Sequence, residues 1–224
     1  MDSSHIVDGL LFYLGLIVLL TFHEFAHAWV AWKCGDDTAR LMGRLSINPI
    51  VHIDPIGTVL LPLIMIFGPA NLGRFLIGFA KPVPVNPANL SHPFRDDILI
   101  ALAGPAMNLV LAVILVGFAR IALFFQSDEM ITMLLSMASL SLLLCFFNLI
   151  PVPPLDGSHV MRNFIGMSWE AYAQLCRYGF IFVIVVLNIP GVRSTLQSVV
   201  DHTLVIISAI FGPEMHDITS QLIS

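Results

Sequence analysis

His23-Glu24-Phe25-Ala26-His27 places two imidazoles four residues apart. On an α-helix that spacing stacks them one turn apart on one face, as two ligands of a single Zn²⁺ require. Glu24 stands beside them, where a carboxylate can take a proton from water that the metal has acidified. Two merely satisfied core histidines are the lesser reading, because the five residues lie in an apolar stretch where ionisable groups are expensive to bury without a metal. A catalytic zinc takes three protein ligands and leaves its fourth position open. The third is sought among His52, His92, Asp156, His159, Asp201 and His202. The surroundings favour Asp156, which closes the run Asn148-Leu-Ile-Pro-Val-Pro-Pro-Leu-Asp-Gly157. There Pro151, Pro153 and Pro154 unwind the end of an apolar helix, and such a break is tolerated at membrane depth only where protein covers it or a wet cavity borders it. Asp201-His202 make a poorer pair, since adjacent helical residues diverge by about 100°. Gly104 and Asn108 form a small-x-x-x-polar pair that suits helix packing better than catalysis.

The elements that must position these residues are membrane helices. The 224 residues are 57% hydrophobic and 11% charged, which excludes a soluble globular balance and fits one membrane domain over residues 1–224. A formal charge of -5 excludes a nucleic-acid binder and a basic peripheral anchor. Cys34, Cys145 and Cys176 lie far apart with no C-x-x-C pair, so neither a disulfide framework nor a thiolate zinc site is expected. A span needs about 20 apolar residues. Residues 9–32, 98–125 and 131–150 meet that length, and residues 178–189 and 195–211 are weaker candidates.

Residues 56–80 are apolar but broken by Pro62, by Gly68-Pro69 and by the stretch from Asn71 to Arg74. Short cytoplasmic loops are enriched in Lys and Arg, and this decides how the segment behaves. If it adds an even number of crossings, Lys33, Arg40, Arg44, Arg74, Lys81, Arg95, Arg162 and Arg177 share one side, with Arg120 and Arg193 opposite. A single crossing erases the bias. The segment is therefore read as a re-entrant or paired half-helix element, with the N-terminus outside and residues 33–95 cytoplasmic. His23 and His27 lie toward the cytoplasmic end of the first span, so Asp156 can meet them only under the same parity. Alternation of Leu45, Ile47, Val51 and Ile53 about Asn48-Pro49 predicts a short membrane-associated β-hairpin within residues 41–54, whose exposed edge would receive an unwound substrate. Proline-rich residues 81–93 read as extended. The expected architecture is an all-α, multi-span bundle of about five to six transmembrane or half-membrane helices, carrying that hairpin and the re-entrant element.

Three motifs in this order resemble those of the site-2 proteases, zinc metalloproteases that cut substrates within the membrane. They are His23-Glu24-Phe25-Ala26-His27, Gly104-Pro105-Ala106-Met107-Asn108, and Asn148 with Pro151, Pro153, Leu155, Asp156 and Gly157. Asn48-Pro-Ile-Val-His-Ile-Asp-Pro-Ile-Gly57 is further similar to the compact bacterial and archaeal branch, so the likeness covers residues 9–160 and leaves the helices of residues 174–212 as accessory. The resemblance implies that His23, His27 and Asp156 bind one Zn²⁺, that Glu24 is general base and acid, and that Asn148 hydrogen-bonds the substrate carbonyl or the oxyanion. It implies hydrolysis of peptide bonds in or near transmembrane segments of membrane-protein substrates, in regulated signalling. The protein would then be a multi-pass resident of an inner or plasma membrane with its site toward the cytoplasm, its partners a transmembrane substrate and the bilayer. Only residues 126–130 separate two spans, and the sequence ends at Ser224, so inserted PDZ or appended CBS domains are not expected. A membrane carrier using the same histidines would not need Glu24 as a base. A protease drawing its third ligand from a later Glu would have only Glu129, Glu170 and Glu214 to choose from, none inside a firm span.

Overall fold

The apolar runs become helices in the computed structural model, which describes residues 3–67 and 80–223. The chain divides into two compact units, Met1–Asp96 and Asp97–Ser224. In the first, α1 (Ser3–Lys33) is followed by α2 (Thr38–Leu41), a 3₁₀ turn (Pro49–His52), a π-helical turn (Pro55–Leu60) running into α3 (Leu61–Phe67), and a 3₁₀ turn (Pro87–Asn89). Helix α1 buries a stripe at helical spacing, Leu16, Leu20, His23, His27 and Ala31, while Leu10, Leu14, Val18 and Trp29 remain exposed. The 3₁₀ turn Pro49–His52, α2 and α3 pack on α1.

In the second unit, α4 (Pro93–Ala122) is prolonged by a 3₁₀ turn (Leu123–Phe125) and followed by α5 (Asp128–Asn148), α6 (Asp156–Ile165), α7 (Trp169–Cys176), α8 (Gly179–Asn188), α9 (Val192–Ile210) and α10 (Pro213–Ile223). Its core joins Ala112, Val116 and Ala119 of α4 to Leu135, Ala138 and Leu142 of α5, Val200 and Leu204 of α9, and Met215 of α10. Small residues on α4 let the neighbouring helices approach closely, the packing that lipid-embedded helices favour. Ser141 Oγ donates to the Asn108 carbonyl at 2.7 Å, and Asn108 is wholly buried, as a packing role requires.

One expectation needs correction. Among the described residues there is no strand, and residues 41–54 do not form the hairpin. Asn48-Pro49 starts a helix-like turn instead of a β-turn: the Asn48 side chain accepts from Ile50 N at 3.1 Å, and proline sits where no backbone donor is needed. Asp54-Pro55 repeats the device, with Asp54 Oδ1 accepting from Ile56 N at 2.9 Å and Gly57 N at 2.7 Å. Local side-chain caps thus out-compete a two-stranded ladder, and the edge expected to receive substrate is absent. The expected bundle of membrane helices is present among the described residues. Among the described residues three helices, Gly9–Lys33, Pro93–Phe125 and Asp128–Asn148, are long and apolar enough to cross a membrane, and the pair α7 and α8, bent by 70°, would make a fourth. Helix α8 alone is too short, and α9 has the length without the apolarity. Of the re-entrant element, residues 68–79 lie outside the described residues.

Candidate metal centre

The buried stripe of α1 brings the two sequence-predicted histidines together. His23 and His27 are 4% and 7% exposed, their Nε2 atoms are 3.1 Å apart, and their rings meet edge to face at a centroid distance of 4.7 Å. Two imidazole nitrogens bound at about 2.0–2.1 Å to one tetrahedral zinc stand about 3.3 Å apart. The donor pair therefore fits a shared Zn²⁺ through Nε2. Glu24, on the next position of α1, is also buried.

The loop packed on this face carries a second buried charge. Arg44 is 5% exposed, and its Nη2 donates to the Lys81 carbonyl and, at 3.4 Å, to that of Pro82. Burial lowers its pKa from the ordinary guanidinium value, and the Glu24 carboxylate opposes that shift. His52 is held by the same loop: its Nε2 donates to the Ser46 carbonyl at 2.8 Å, and its own carbonyl accepts from Lys81 N at 3.0 Å.

Asp156 belongs to the second unit, as the first residue of α6. The turn before it is closed by backbone bonds from Leu155 N to Val152 O and from Ser158 N to Leu155 O, both 2.9 Å. Gly157 is obligatory here, because a Cβ at that position would overlap the Leu149 carbonyl. Asn148 ends α5, and one N–H of its amide donates to Leu144 O at 2.9 Å, leaving a second N–H and the oxygen on that group. The other ligand candidates have other engagements. His159 Nδ1 faces Asp97 Oδ1 at 3.2 Å, His202 Nδ1 donates to Ser198 O at 2.6 Å, Asp201 accepts from Gln197 at 2.8 Å, and His92 is exposed.

Sequence reasoning missed the network centred on Asp97. Its carboxylate, 3% exposed, accepts from Arg162 Nη2 at 2.9 Å and from Asn163 Nδ2, in addition to its pairing with His159. Arg162 lies over the Trp169 ring, 3.5 Å from its centroid. The signal was present: Asp96-Asp97 at the head of an apolar span is a buried acidic pair that needs a partner.

Comparison with known proteins agrees with this chemistry. The model described as Peptidase family M50 matches residues 11–128 and 121–187. YwhC of Bacillus subtilis, which bears the name of a zinc metalloprotease, is 37% identical over 213 residues, covering 88% of this chain and 91% of its own. Rip2 of Mycolicibacterium smegmatis, named likewise, is 32% identical over 189 residues, 80% of this chain and 67% of its own. Rip2 of Mycobacterium tuberculosis is 29% identical over 187 residues, 83% and 70% of the two chains. No solved structure matches at a significant level. The chain belongs to Peptidase family M50, the site-2 protease family. It is accordingly a zinc metalloprotease, and its apolar helices make it an integral membrane protein.

Proposed function

We propose that this metalloprotease hydrolyses peptide bonds in or near the transmembrane segments of other membrane proteins, in the regulated signalling that the family resemblance implies. The observation that carries the proposal is the position of His23, Glu24 and His27: the zinc-binding chemistry sits on the buried face of a helix that is itself a membrane span. A protease acting on soluble substrates has no use for a site at that depth.

In this reading Asp156 is the third ligand and the whole chain is one catalytic domain. A bound Zn²⁺ supplies Lewis acidity, polarising the scissile carbonyl and bringing the pKa of water toward neutrality. Glu24 takes the proton of the attacking water and returns it to the leaving amine. Asn148, through its second amide N–H, hydrogen-bonds the scissile carbonyl and holds it as negative charge develops. The substrate must arrive unwound, because a helix hides its carbonyls in i to i−4 bonds.

The site is proposed to face the cytoplasm. Within the first unit the chain returns to its point of departure: Ser91 N donates to Cys34 O at 3.3 Å, and Asp36 accepts from Asn86 N at 2.7 Å and Asn89 Nδ2 at 2.9 Å. Such closure supports an even number of crossings between Lys33 and Arg95, the parity that the charge bias requires.

The test is zinc content by elemental analysis of detergent-purified wild type, His23→Ala and Asp156→Ala, with cleavage of a model transmembrane peptide on the same samples. One zinc per chain, lost in both variants together with cleavage, is expected. Zinc kept by Asp156→Ala would move the third ligand elsewhere, and failure of wild type to cut the peptide would remove the intramembrane reading.

A further inference from the structure

Helix α6 is ten residues long, and Asp156 is the first of them. Nothing in so short a helix fixes its own rotation, yet a metal ligand must be held within a fraction of an ångström. The anchor found is Asp97. Counted from Asp156, its partners His159, Arg162 and Asn163 are the third, sixth and seventh residues on. At about 100° per residue they occupy one side of α6, beginning roughly 20° from Asp156 itself. One carboxylate gripping two successive turns sets both the rotation of the helix and its position along its axis.

Three further contacts press in the same sense. The Tyr172 hydroxyl pairs with Ser158 Oγ at 2.8 Å, the His159 ring lies edge to face on Tyr172 at 4.8 Å, and Trp169 covers the Arg162 guanidinium. Stability alone does not account for this arrangement. A buried Asp–Arg pair costs about as much in desolvation as it returns in attraction, and apolar residues of equal volume would serve a core as well or better. What the pair provides that Leu or Met would not is direction.

We propose that Asp97 is a positioning residue for Asp156, acting through α6 to preorganise the metal-binding carboxylate; this rests on Asp156 being a ligand, as proposed above. Groups that orient a ligand from outside the ligand set usually change metal affinity by about 10- to 100-fold when removed.

The test measures zinc affinity by chelator competition on the full-length protein in detergent, with melting temperature on the same samples, for wild type, Asp97→Asn, Asp156→Asn and Thr219→Ala. Asp97→Asn keeps the shape of the side chain and removes the charge that grips Arg162. It is expected to weaken zinc binding by about 10- to 100-fold, with cleavage recovering as zinc is raised to saturation. Thr219→Ala removes a buried hydrogen bond to Ser208 that has no connection to α6, so it is expected to lower the melting temperature and leave zinc affinity unchanged. If Asp156→Asn weakens zinc and a folded Asp97→Asn binds it like wild type, the positioning role is overturned and the ligand assignment survives. If Asp156→Asn itself binds zinc like wild type, both fall. Should Asp97→Asn not fold, Asn163→Ala removes one neutral donor and is expected to weaken zinc in the same direction by less; unchanged affinity there overturns the proposal equally.

Discussion

Glu24 is the residue whose function can be separated most cleanly from its neighbours'. It adjoins the histidine pair but is not one of the proposed ligands, so replacing it by the isosteric amide removes a base and leaves the donor set intact. Glu24→Gln is expected to keep stoichiometric zinc and to lower the cleavage rate by about 10²- to 10⁴-fold. Zinc analysis and peptide cleavage on one preparation check this, and loss of zinc would make Glu24 a ligand instead. The histidine pair was legible from sequence because its geometry is local: four residues on a helix decide it, and the Nε2 separation of 3.1 Å follows. Asp97 and Arg162 were not, because their pairing closes over 65 positions of chain. A charged residue near a helix end can always be read as solvated until its partner is known. His52, one of the candidates by residue type, donates through Nε2 to the Ser46 carbonyl.

Short polar elements hold the long apolar ones in place, and they were the harder part to foresee. Alternation of apolar residues in 41–54 has two solutions, a pleated strand or a string of capped turns, and the choice rests on whether Asn48 and Asp54 bond to their own backbone. At the same scale Gly157 and Gly166 make contrasting predictions. A methyl at Gly157 would meet backbone that cannot yield, the Leu149 carbonyl, whereas Gly166 has a φ of 67° and open space around it. Gly157→Ala is expected to displace α6 and abolish zinc binding and cleavage. Gly166→Ala is expected to cost about 1 kcal/mol in stability with activity retained, a difference that thermal melts and zinc titrations of the two variants would read directly. Asp36 ties the end of α1 to the Pro87–Asn89 turn, and it gives a pH signature. Burial alone would raise its pKa, but hydrogen bonds from Thr38, Asn89 and the Asn86 and Thr38 amides bring it below the ordinary carboxylate value. A pKa lowered on folding stabilises above about pH 4, where the unfolded carboxyl is ionised too, and this contribution fades as pH falls through the folded value. The melting temperature of wild type is expected to fall between pH 6 and pH 3 more steeply than that of Asp36→Asn, which starts lower; parallel curves would assign the acid sensitivity to other groups.

Over the molecule as a whole, the exposed apolar residues and the closed loop constrain how the chain can sit in a bilayer. Leu10, Leu14 and Val18 on α1 and Val110, Ile114, Phe118 and Ile121 on α4 are uncovered, the surface lipid is suited to meet. The first unit joins Cys34 to Ser91 by hydrogen bonds from both the Ser91 amide and its hydroxyl, so the ends of the 57 intervening bonds of chain must share a side whatever residues 68–79 do between them. Helices α4 and α5 are each long and apolar enough to cross once more. In a chain whose three cysteines are replaced, single cysteines at Arg40, Ser91 and Asp128, all exposed positions, would report this with a membrane-impermeant thiol reagent applied to intact cells. Arg40→Cys and Ser91→Cys are expected to stay unlabelled until the cells are opened, and Asp128→Cys to label from outside, since eight of ten basic residues then face the cytoplasm. The reverse pattern would invert the protein in the membrane while keeping its parity, and would leave the proposed three-ligand site possible. Labelling of Arg40→Cys and Ser91→Cys from opposite sides would break the parity itself, and the proposed three-ligand site with it.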